Sequence, residues 1–302
     1  MGSPFYAEVI LKALLERFDV IGVVTQPDKK VGRGKTIQSP PVKILSAERT
    51  IPCLQPERLS HPDVLDVLRK WDPDLIVVAA YGKILRKDVL EFPRFKCVNV
   101  HASLLPKWRG ASPIHSAIMN GDQKTGVTIM KMDEGIDTGD ILTQKEIQIE
   151  DNDTTETLTE KLAFAGGQLL VEILPNYFSG IITPLQQNES LASYTRMVAK
   201  DDGMLDFSKS AQELERQVRA YIPWPVSFFT WNQSNIRVYK AKVLESSMLS
   251  TGENGIIGKY PCIGTGKNDL QLRKVQAPGK KMMDGKAFLN GTRNWLEKSQ
   301  IN

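Results

Sequence analysis

The chain has 302 residues, of which 41% are hydrophobic and 25% are charged, a balance typical of folded globular proteins rather than disordered or fibrous ones. No apolar run is long enough to cross a membrane, and the three cysteines are too few and too widely spaced for a disulfide framework. Such cysteines are typical of a reducing cytosol. The three histidines lack zinc-binding spacing, so no metal site is predicted.

The net charge of +4 is unevenly distributed along the chain. Residues 203–302 hold 15 Lys and Arg against 8 Asp and Glu, whereas residues 1–202 hold 24 against 27. A basic carboxyl-terminal third indicates either an anionic partner or a solvated basic surface that has none.

The first hundred residues alternate between helical and strand patterns. Helical periodicity covers residues 5–15, after a Gly-Ser-Pro turn, and residues 41–50, 60–73 and 83–90. Runs typical of strands cover residues 19–28, 51–56, 74–82 and 98–101. This alternation predicts βαβ units and a mostly parallel sheet.

Between the first two strands, residues 29–36 read "KKVGRGKT", which nearly matches the phosphate-binding P-loop pattern. Lys29 stands where the first glycine should be, and Pro40 and Pro41 follow where a helix should begin, so nucleotide hydrolysis is disfavoured. The segment is interpreted as a mobile basic loop, either solvated or in contact with phosphates.

The strand at residues 97–101 reads "CVNVH" and ends in polar residues. Because side chains alternate between the faces of a strand, Cys97, Asn99 and His101 share one face. The end of a buried strand could simply have its polar groups satisfied by neighbouring backbone. Alternatively, it is a reaction centre at the carboxyl edge of the sheet, with Cys97 deeper in the core.

The next segments predict a helix at residues 111–122, strands at 126–132 and 140–149, and a long helix at 154–180. The loop "DEGIDTGD" at residues 133–140 joins the two strands. Its acids could form a cation site or an ordinary turn, or one aspartate could face His101 and orient the ring. An Asn, a His and an Asp without a nearby nucleophile fit a reaction in which the substrate supplies the nucleophile.

Residues 187–206 have no clear period and are interpreted as a linker. A helix at 210–222 and short strands then predict a small β-barrel or sandwich. The predicted boundaries are therefore a first domain at 1–186, a linker at 187–206 and a second domain at 207–302.

Two motifs, "VNVHASLLPKWRGASPI" and "MDEGIDTGDIL", resemble the formyltransferase family that uses 10-formyltetrahydrofolate. "VRAYIPWPVSF", "LQLRKVQAPGKKMM" and the Gly-Arg-Gly-Lys loop are more similar to the members that formylate methionyl initiator tRNA. The resemblance covers nearly the whole chain. It implies a Rossmann-like α/β domain with helices on both faces of its sheet, followed by an OB-like β-barrel that binds tRNA.

The resemblance also implies residue roles. Asn99, His101 and Asp137 would be catalytic, and the residues bordering the folate would be Ser103, Leu104, Leu105 and Pro106. The tRNA contacts would include Arg33, Lys35, Lys280 and Lys281. A monomer in the bacterial cytoplasm, with 10-formyltetrahydrofolate as co-substrate and no metal, is expected.

Family members begin with a strand before the turn that matches Gly2-Ser3-Pro4, and that strand is not found here. We therefore expect a shortened chain with a gap in main-chain pairing. Trp224 and Trp231 are interpreted as buried barrel aromatics rather than stacking platforms. Two rival functions remain open: formylation of an amino sugar nucleotide, and tRNA binding without catalysis.

Overall fold

The computed structural model describes residues 1–31, 36–292 and 294–296, which form two compact units. The first unit comprises residues 1–113, 124–148 and 159–196. The second comprises residues 114–123, 149–158 and those from 197 onward. Each unit has its own hydrophobic core.

Helices within the described residues follow the predicted order. They are α1 (Phe5–Leu15), α2 (Pro41–Glu48), α3 (Pro62–Trp71), α4 (Lys87–Leu90), α5 (Pro113–Asn120), α6 (Thr155–Phe178), α7 (Ala211–Ala220) and α8 (Gly285–Asn290). The prediction of a helix over residues 83–90 was too long, because only the last four residues are helical.

The strands of the first unit are β1 (Val23–Val24), β2 (Lys29–Val31), β3 (Thr36–Gln38), β4 (Cys53–Leu54), β5 (Ile76–Val78), β6 (Cys97–His101), β7 (Arg109–Gly110), β8 (Lys124–Lys131), β9 (Ile141–Gln148) and β10 (Tyr194–Thr195). β1 pairs in parallel with β4, and β5 pairs in parallel with β6. β6, β8 and β9 continue the second sheet with antiparallel pairing. The predicted βαβ architecture is confirmed as a Rossmann-like arrangement rich in parallel pairs.

The segment that was interpreted as a mobile basic loop forms strands at both of its ends. β2 and β3 form a short antiparallel pair in which Lys29 is opposite Gln38. Residues 32–35 lie outside the described residues.

The sheet of β1 and β4 and the sheet of β5, β6, β8 and β9 are joined through Met1 and Gly2. The Gly2 amide donates to the Val24 carbonyl at 3.0 Å, and the Ala79 amide donates to the Met1 carbonyl at 2.9 Å. Burial lowers the pKa of the Met1 α-amino group to about 6.

Beside this short connection lies a cavity of about 590 Å³. It is lined on one side by residues 19–24 and on the other by residues 71–77, with apolar side chains of α1 such as Ile10 and Leu14 between them. The cavity therefore lies where the sequence predicted a gap in the pairing. None of Asn99, His101 and Asp137 lines it.

The second unit is built on an antiparallel sheet, which confirms the predicted β-rich carboxyl-terminal domain. Its strands are β11 (Ser227–Trp231), β12 (Ser234–Leu244), β13 (Asn254–Ile257), β14 (Tyr260–Gly264), β15 (Asp269–Gln276) and β16 (Met283–Asp284). The strand order is β11-β12-β15-β14-β13, with β16 added on β15. α7 begins at a capping box in which Ser210 and Glu213 bond each other's backbone.

No described helix is long and apolar enough to cross a membrane.

Candidate active site

The strand β6 carries two of the predicted catalytic residues on one face. Asn99 and His101 are both buried, with 8% and 6% exposure, and they lie at the carboxyl end of the strand. Cys97 is completely buried on the same face, and burial raises the pKa of its thiol to about 12. Its interpretation as a core residue is confirmed, because a thiol with so high a pKa is a poor nucleophile.

The third residue, Asp137, comes from the loop between β8 and β9. Its Oδ1 accepts a hydrogen bond from Asn99 Nδ2 at 3.2 Å, and its Oδ2 lies 3.6 Å from His101 Nδ1. Oδ2 also accepts from the Gly110 amide at 2.8 Å. The structure thus brings together the Asn, the His and one Asp that the sequence placed far apart.

The ring of His101 is oriented by a backbone carbonyl. Nε2 lies 3.0 Å from the Trp108 carbonyl oxygen, which can only accept, so Nε2 carries a proton. In the neutral ring Nδ1 is then unprotonated and can accept a proton. Nδ1 faces Oδ2 of Asp137 across 3.6 Å.

The loop that presents Asp137 is tightly built. Asp133 Oδ1 accepts from the Gly135 amide and from the Thr138 hydroxyl, which closes the turn. A Cβ at Gly139 would clash with the Lys131 carbonyl oxygen, so this position requires glycine. Asp137 itself has a left-handed backbone with φ of 55°. Such a conformation is uncommon for a residue with a side chain and often marks a functional loop.

The predicted folate-bordering residues form the loop after β6. Thr128 Oγ1 holds this loop on β8, because it donates to the Ser103 carbonyl and accepts from the Leu105 amide. The Ser103 side chain is fully buried and donates to the Lys107 carbonyl at 2.6 Å. Its hydroxyl is therefore used within the loop. Leu104 and Pro106 are half-buried, and Leu105 is buried.

The predicted tRNA contacts are only partly within the described residues. Arg33 and Lys35 lie outside them. Lys280 and Lys281 are exposed in the segment between β15 and β16. Near them, Arg273 and Lys286 lie over the ring of Tyr260, at 4.0 and 4.7 Å from its centroid.

Both tryptophans were predicted to be buried barrel aromatics, and the structure confirms this for only one of them. Trp231 is 8% exposed and packs in the core of the second unit, as predicted. The interpretation of Trp224 as a buried aromatic was wrong, because it is 52% exposed. It lies between Pro223 and Pro225.

Sequence reasoning missed the residues that support Asp137 from outside the motifs. The amide of Gln187 donates to the backbone carbonyls of Asp137 and Gly139, yet Gln187 opens the segment that was interpreted as a linker. From the sequence, Arg109 has two interpretations: it serves the site, or it simply bonds the backbone near Gly110. In the structure it is fully buried and donates to Gln187.

Within the described part of the chain, no group of three or more His, Cys, Asp or Glu side chains is arranged to hold a metal ion.

Comparison with known proteins places this geometry in a family. Residues 2–174 match the family described as formyl transferase, and residues 197–293 match the formyl transferase carboxyl-terminal domain. A methionyl-tRNA formyltransferase of Myxococcus xanthus is 45% identical over 296 residues, covering 96% of this chain and 93% of that protein. The chain belongs to the methionyl-tRNA formyltransferase family.

A second member of the family, from Bacillus pumilus, is 43% identical over 96% of this chain and 93% of its own length. Among solved structures, the sugar 3N-formyl transferase WlaRD, crystallised with dTDP and 5-N-formyl-THF, aligns with a TM-score of 0.67 at 20% identity. The alignment covers 93% of this chain and 97% of that one. The methionyl-tRNA formyltransferase of Clostridium thermocellum aligns with a TM-score of 0.52 at 16% identity, over 80% and 92% of the two chains. At these identities, the structural likeness shows the fold alone.

Proposed function

We infer that this protein transfers a formyl group from 10-formyltetrahydrofolate to the α-amino group of methionine carried by initiator tRNA, for the start of protein synthesis. The observation that carries this inference is the meeting of Asn99, His101 and Asp137 around one point, in a chain that matches a family member over 96% of its length. The folate supplies a formyl group that is already activated for transfer to an amine.

The first task of the site is to remove a proton. A free α-amino group has a pKa of about 7.7–8.0, so a large fraction is protonated at neutral pH and cannot attack. His101 Nδ1 is the proton acceptor in this proposal. The carboxylate of Asp137, 3.6 Å away, stabilises the ring once it is charged.

The second task is to stabilise the oxyanion that forms on the formyl oxygen. Asn99 Nδ2 has two N–H groups, of which one is donated to Asp137. The other can donate to the formyl oxygen, in the manner of an oxyanion hole. The reaction forms one C–N bond to the methionine nitrogen and breaks the C–N bond to the folate. Starting from its protonated form, the methionine nitrogen gives up two protons: one is released to solvent, and the other passes by way of His101 to the folate nitrogen.

The remaining assignments are proposals of the same kind. Ser103, Leu104, Leu105 and Pro106 border the folate, and no metal takes part. Arg33, Lys35, Lys280 and Lys281 contact tRNA phosphates. Residues 1–186 form the catalytic domain and residues 207–302 the tRNA-binding domain, with a linker at 187–206. We propose a cytoplasmic monomer.

An assay with three arms tests the function. The purified protein is incubated with 10-formyltetrahydrofolate and with methionyl initiator tRNA, an amino sugar nucleotide, or no acceptor. We expect release of tetrahydrofolate only with the charged tRNA. Turnover of the sugar nucleotide alone would identify the rival transferase, and tRNA binding without turnover would identify a binding protein.

A further inference from the structure

The loop of Asp137 is held from behind by one buried amide. Gln187 is 6% exposed, and its Nε2 donates to the Asp137 carbonyl at 2.8 Å and to the Gly139 carbonyl at 2.7 Å. These two bonds hold the backbone carbonyls of the residues on either side of Thr138. They therefore restrain the left-handed backbone that points the Asp137 side chain toward His101.

The other end of the same amide is fixed by Arg109. Gln187 Oε1 accepts from Arg109 Nε at 3.1 Å and from Nη2 at 2.9 Å. An amide oxygen has two lone pairs and an amide nitrogen two N–H groups, so all four hydrogen-bonding positions of this side chain are used. If the amide group rotated by 180°, its N–H groups would face the N–H groups of the Arg109 guanidinium, and these bonds would be lost.

Arg109 is in turn locked in place. It is fully buried, and its Nη1 and Nη2 form a two-pronged pair with Glu189 at 2.9 and 2.6 Å. Nη1 also donates to the Tyr194 hydroxyl at 2.9 Å. The hydrogen bonds with Glu189 raise the pKa of Arg109 above its ordinary value, so the guanidinium is charged throughout the physiological range.

We propose that Gln187 is a positioning residue for catalysis, which keeps the Asp137 carboxylate directed at His101 and Asn99 while Arg109 and Glu189 fix the orientation of its amide. This assigns a role to the first residues of the segment interpreted as a linker. The proposal rests on the function proposed above, since it concerns the turnover of the same site.

The alternative explanation is that Gln187 only stabilises the fold, as any buried amide with all its hydrogen bonds formed does. The chain offers a matched control for this explanation. Gln217, in α7 of the second unit, is 3% exposed, and its Nε2 likewise donates to two backbone carbonyls, those of Asp202 and Met204. Replacing either glutamine by methionine removes two bonds to backbone carbonyls at nearly constant volume, and Gln187→Met also removes the two bonds that Gln187 accepts from Arg109.

The experiment compares Gln187→Met, Gln217→Met and the wild-type protein. For each we measure the melting temperature, the stoichiometry and Kd of 5-formyltetrahydrofolate by calorimetry, and kcat and KM for methionyl initiator tRNA. We expect both variants to melt at lower temperature than the wild type. Only Gln187→Met should lose kcat, by at least about tenfold, with folate stoichiometry unchanged and KM within about threefold.

Three results would overturn the proposal: retention of kcat within twofold in Gln187→Met, an equal loss of kcat in Gln217→Met, or a fall in folate stoichiometry that matches the loss of kcat. Inactivity of the wild type toward charged tRNA would instead overturn the proposed function. In that case the positioning role is tested with whichever acceptor the wild type does formylate.

Discussion

At the scale of single residues, the account depends on how a buried imidazole is held. His101 has a carbonyl at one nitrogen and a carboxylate near the other, and both partners lie outside its own strand. A side chain in such a position is oriented before substrate arrives, so little reorganisation is needed during the reaction.

Replacement of Asp137 by asparagine should lower kcat by about 100-fold or more. The neutral amide of asparagine cannot stabilise a charged ring. If its nitrogen replaced Oδ2, its N–H groups would also face the Gly110 amide, which donates to Oδ2 in the wild type. The measurement is steady-state formylation of methionyl initiator tRNA. Asp66→Asn, on an exposed face of α3, is the control and should keep full activity. Equal activity of the two variants would remove Asp137 from the mechanism.

A second prediction at this scale concerns His115 in the second unit. Burial lowers the pKa of this imidazole below its ordinary value of 6.5, although a hydrogen bond with the Trp224 backbone opposes the shift. The unfolded chain therefore binds more protons than the folded one just below pH 6.5. The free energy of unfolding should fall as the pH is lowered from about 6.5 and should level off above it.

Urea unfolding between pH 5 and pH 7.5 measures this dependence. His115→Gln should flatten the curve in that range. His61→Gln should leave it unchanged, because His61 has 60% of its side chain exposed. A pH dependence that survives in His115→Gln would show that another group causes it.

At the scale of elements, the strand β6 shows what a sequence can reveal. Alternation along "CVNVH" placed Asn99 and His101 on one face correctly, since it is a local property of the extended chain. The resemblance then selected Asp137 from four acids in one loop. Local pattern could not do so, because the choice depends on how the β8–β9 loop folds over β6.

The elements that sequence reasoning missed are those stabilised by distant partners. Residues 194–195 form β10 by pairing in parallel with residues 109–110, and Gln187 is fixed by Arg109. Neither segment carries a strand pattern of its own, so nothing in the segment from 187 to 206 distinguished these contacts from a linker. Residues 83–86 were predicted to be helical because their sequence has helical periodicity, but in the structure the helix begins only at residue 87.

A prediction about elements concerns the cavity beside Met1 and Gly2. An apolar segment of about five β-branched residues fused before Met1 would lengthen the short backbone pairing that Met1 and Gly2 make with residues 24 and 79, and would form a strand between β1 and β5. Full burial of a Val or Ile side chain contributes about 1.5–3 kcal/mol. A gain of ~1 kcal/mol raises the melting temperature of a domain of roughly this size by about 2–4 °C.

We therefore expect the fused chain to melt at least about 5 °C higher, as measured by calorimetry. A Gly-Ser segment of equal length is the control and should give no gain. An apolar segment that gives no more stability than the Gly-Ser one would show that the cavity does not accept a strand.

At the scale of the whole molecule, the uneven distribution of charge was already visible in the amino-acid sequence. The basic surplus in residues 203–302 includes Lys280 and Lys281, which the structure leaves exposed. Contacts between such side chains and phosphates release counterions, so their contribution weakens as salt concentration rises. The steps at the buried catalytic centre involve no phosphate contacts and should not share this dependence.

The double variant Lys280→Ala/Lys281→Ala should raise KM for methionyl initiator tRNA and reduce its salt dependence. If two phosphate contacts are lost, the slope of log KM against log salt should fall by about 1–2. KM for the folate should not change. Lys12→Ala/Lys124→Ala, at exposed ion pairs of the first unit, alters the net charge equally and is the control. An equal effect of both double variants would indicate net charge rather than specific contact.

The central claim is that His101 moves the proton during formyl transfer. It is tested most directly by single-turnover formylation of methionyl initiator tRNA with His101→Ala, after calorimetry has shown that the variant binds 5-formyltetrahydrofolate. The account predicts a rate about 10²–10⁴ times slower than that of the wild type. A rate within about threefold of the wild type, in a variant that still binds folate, would contradict it.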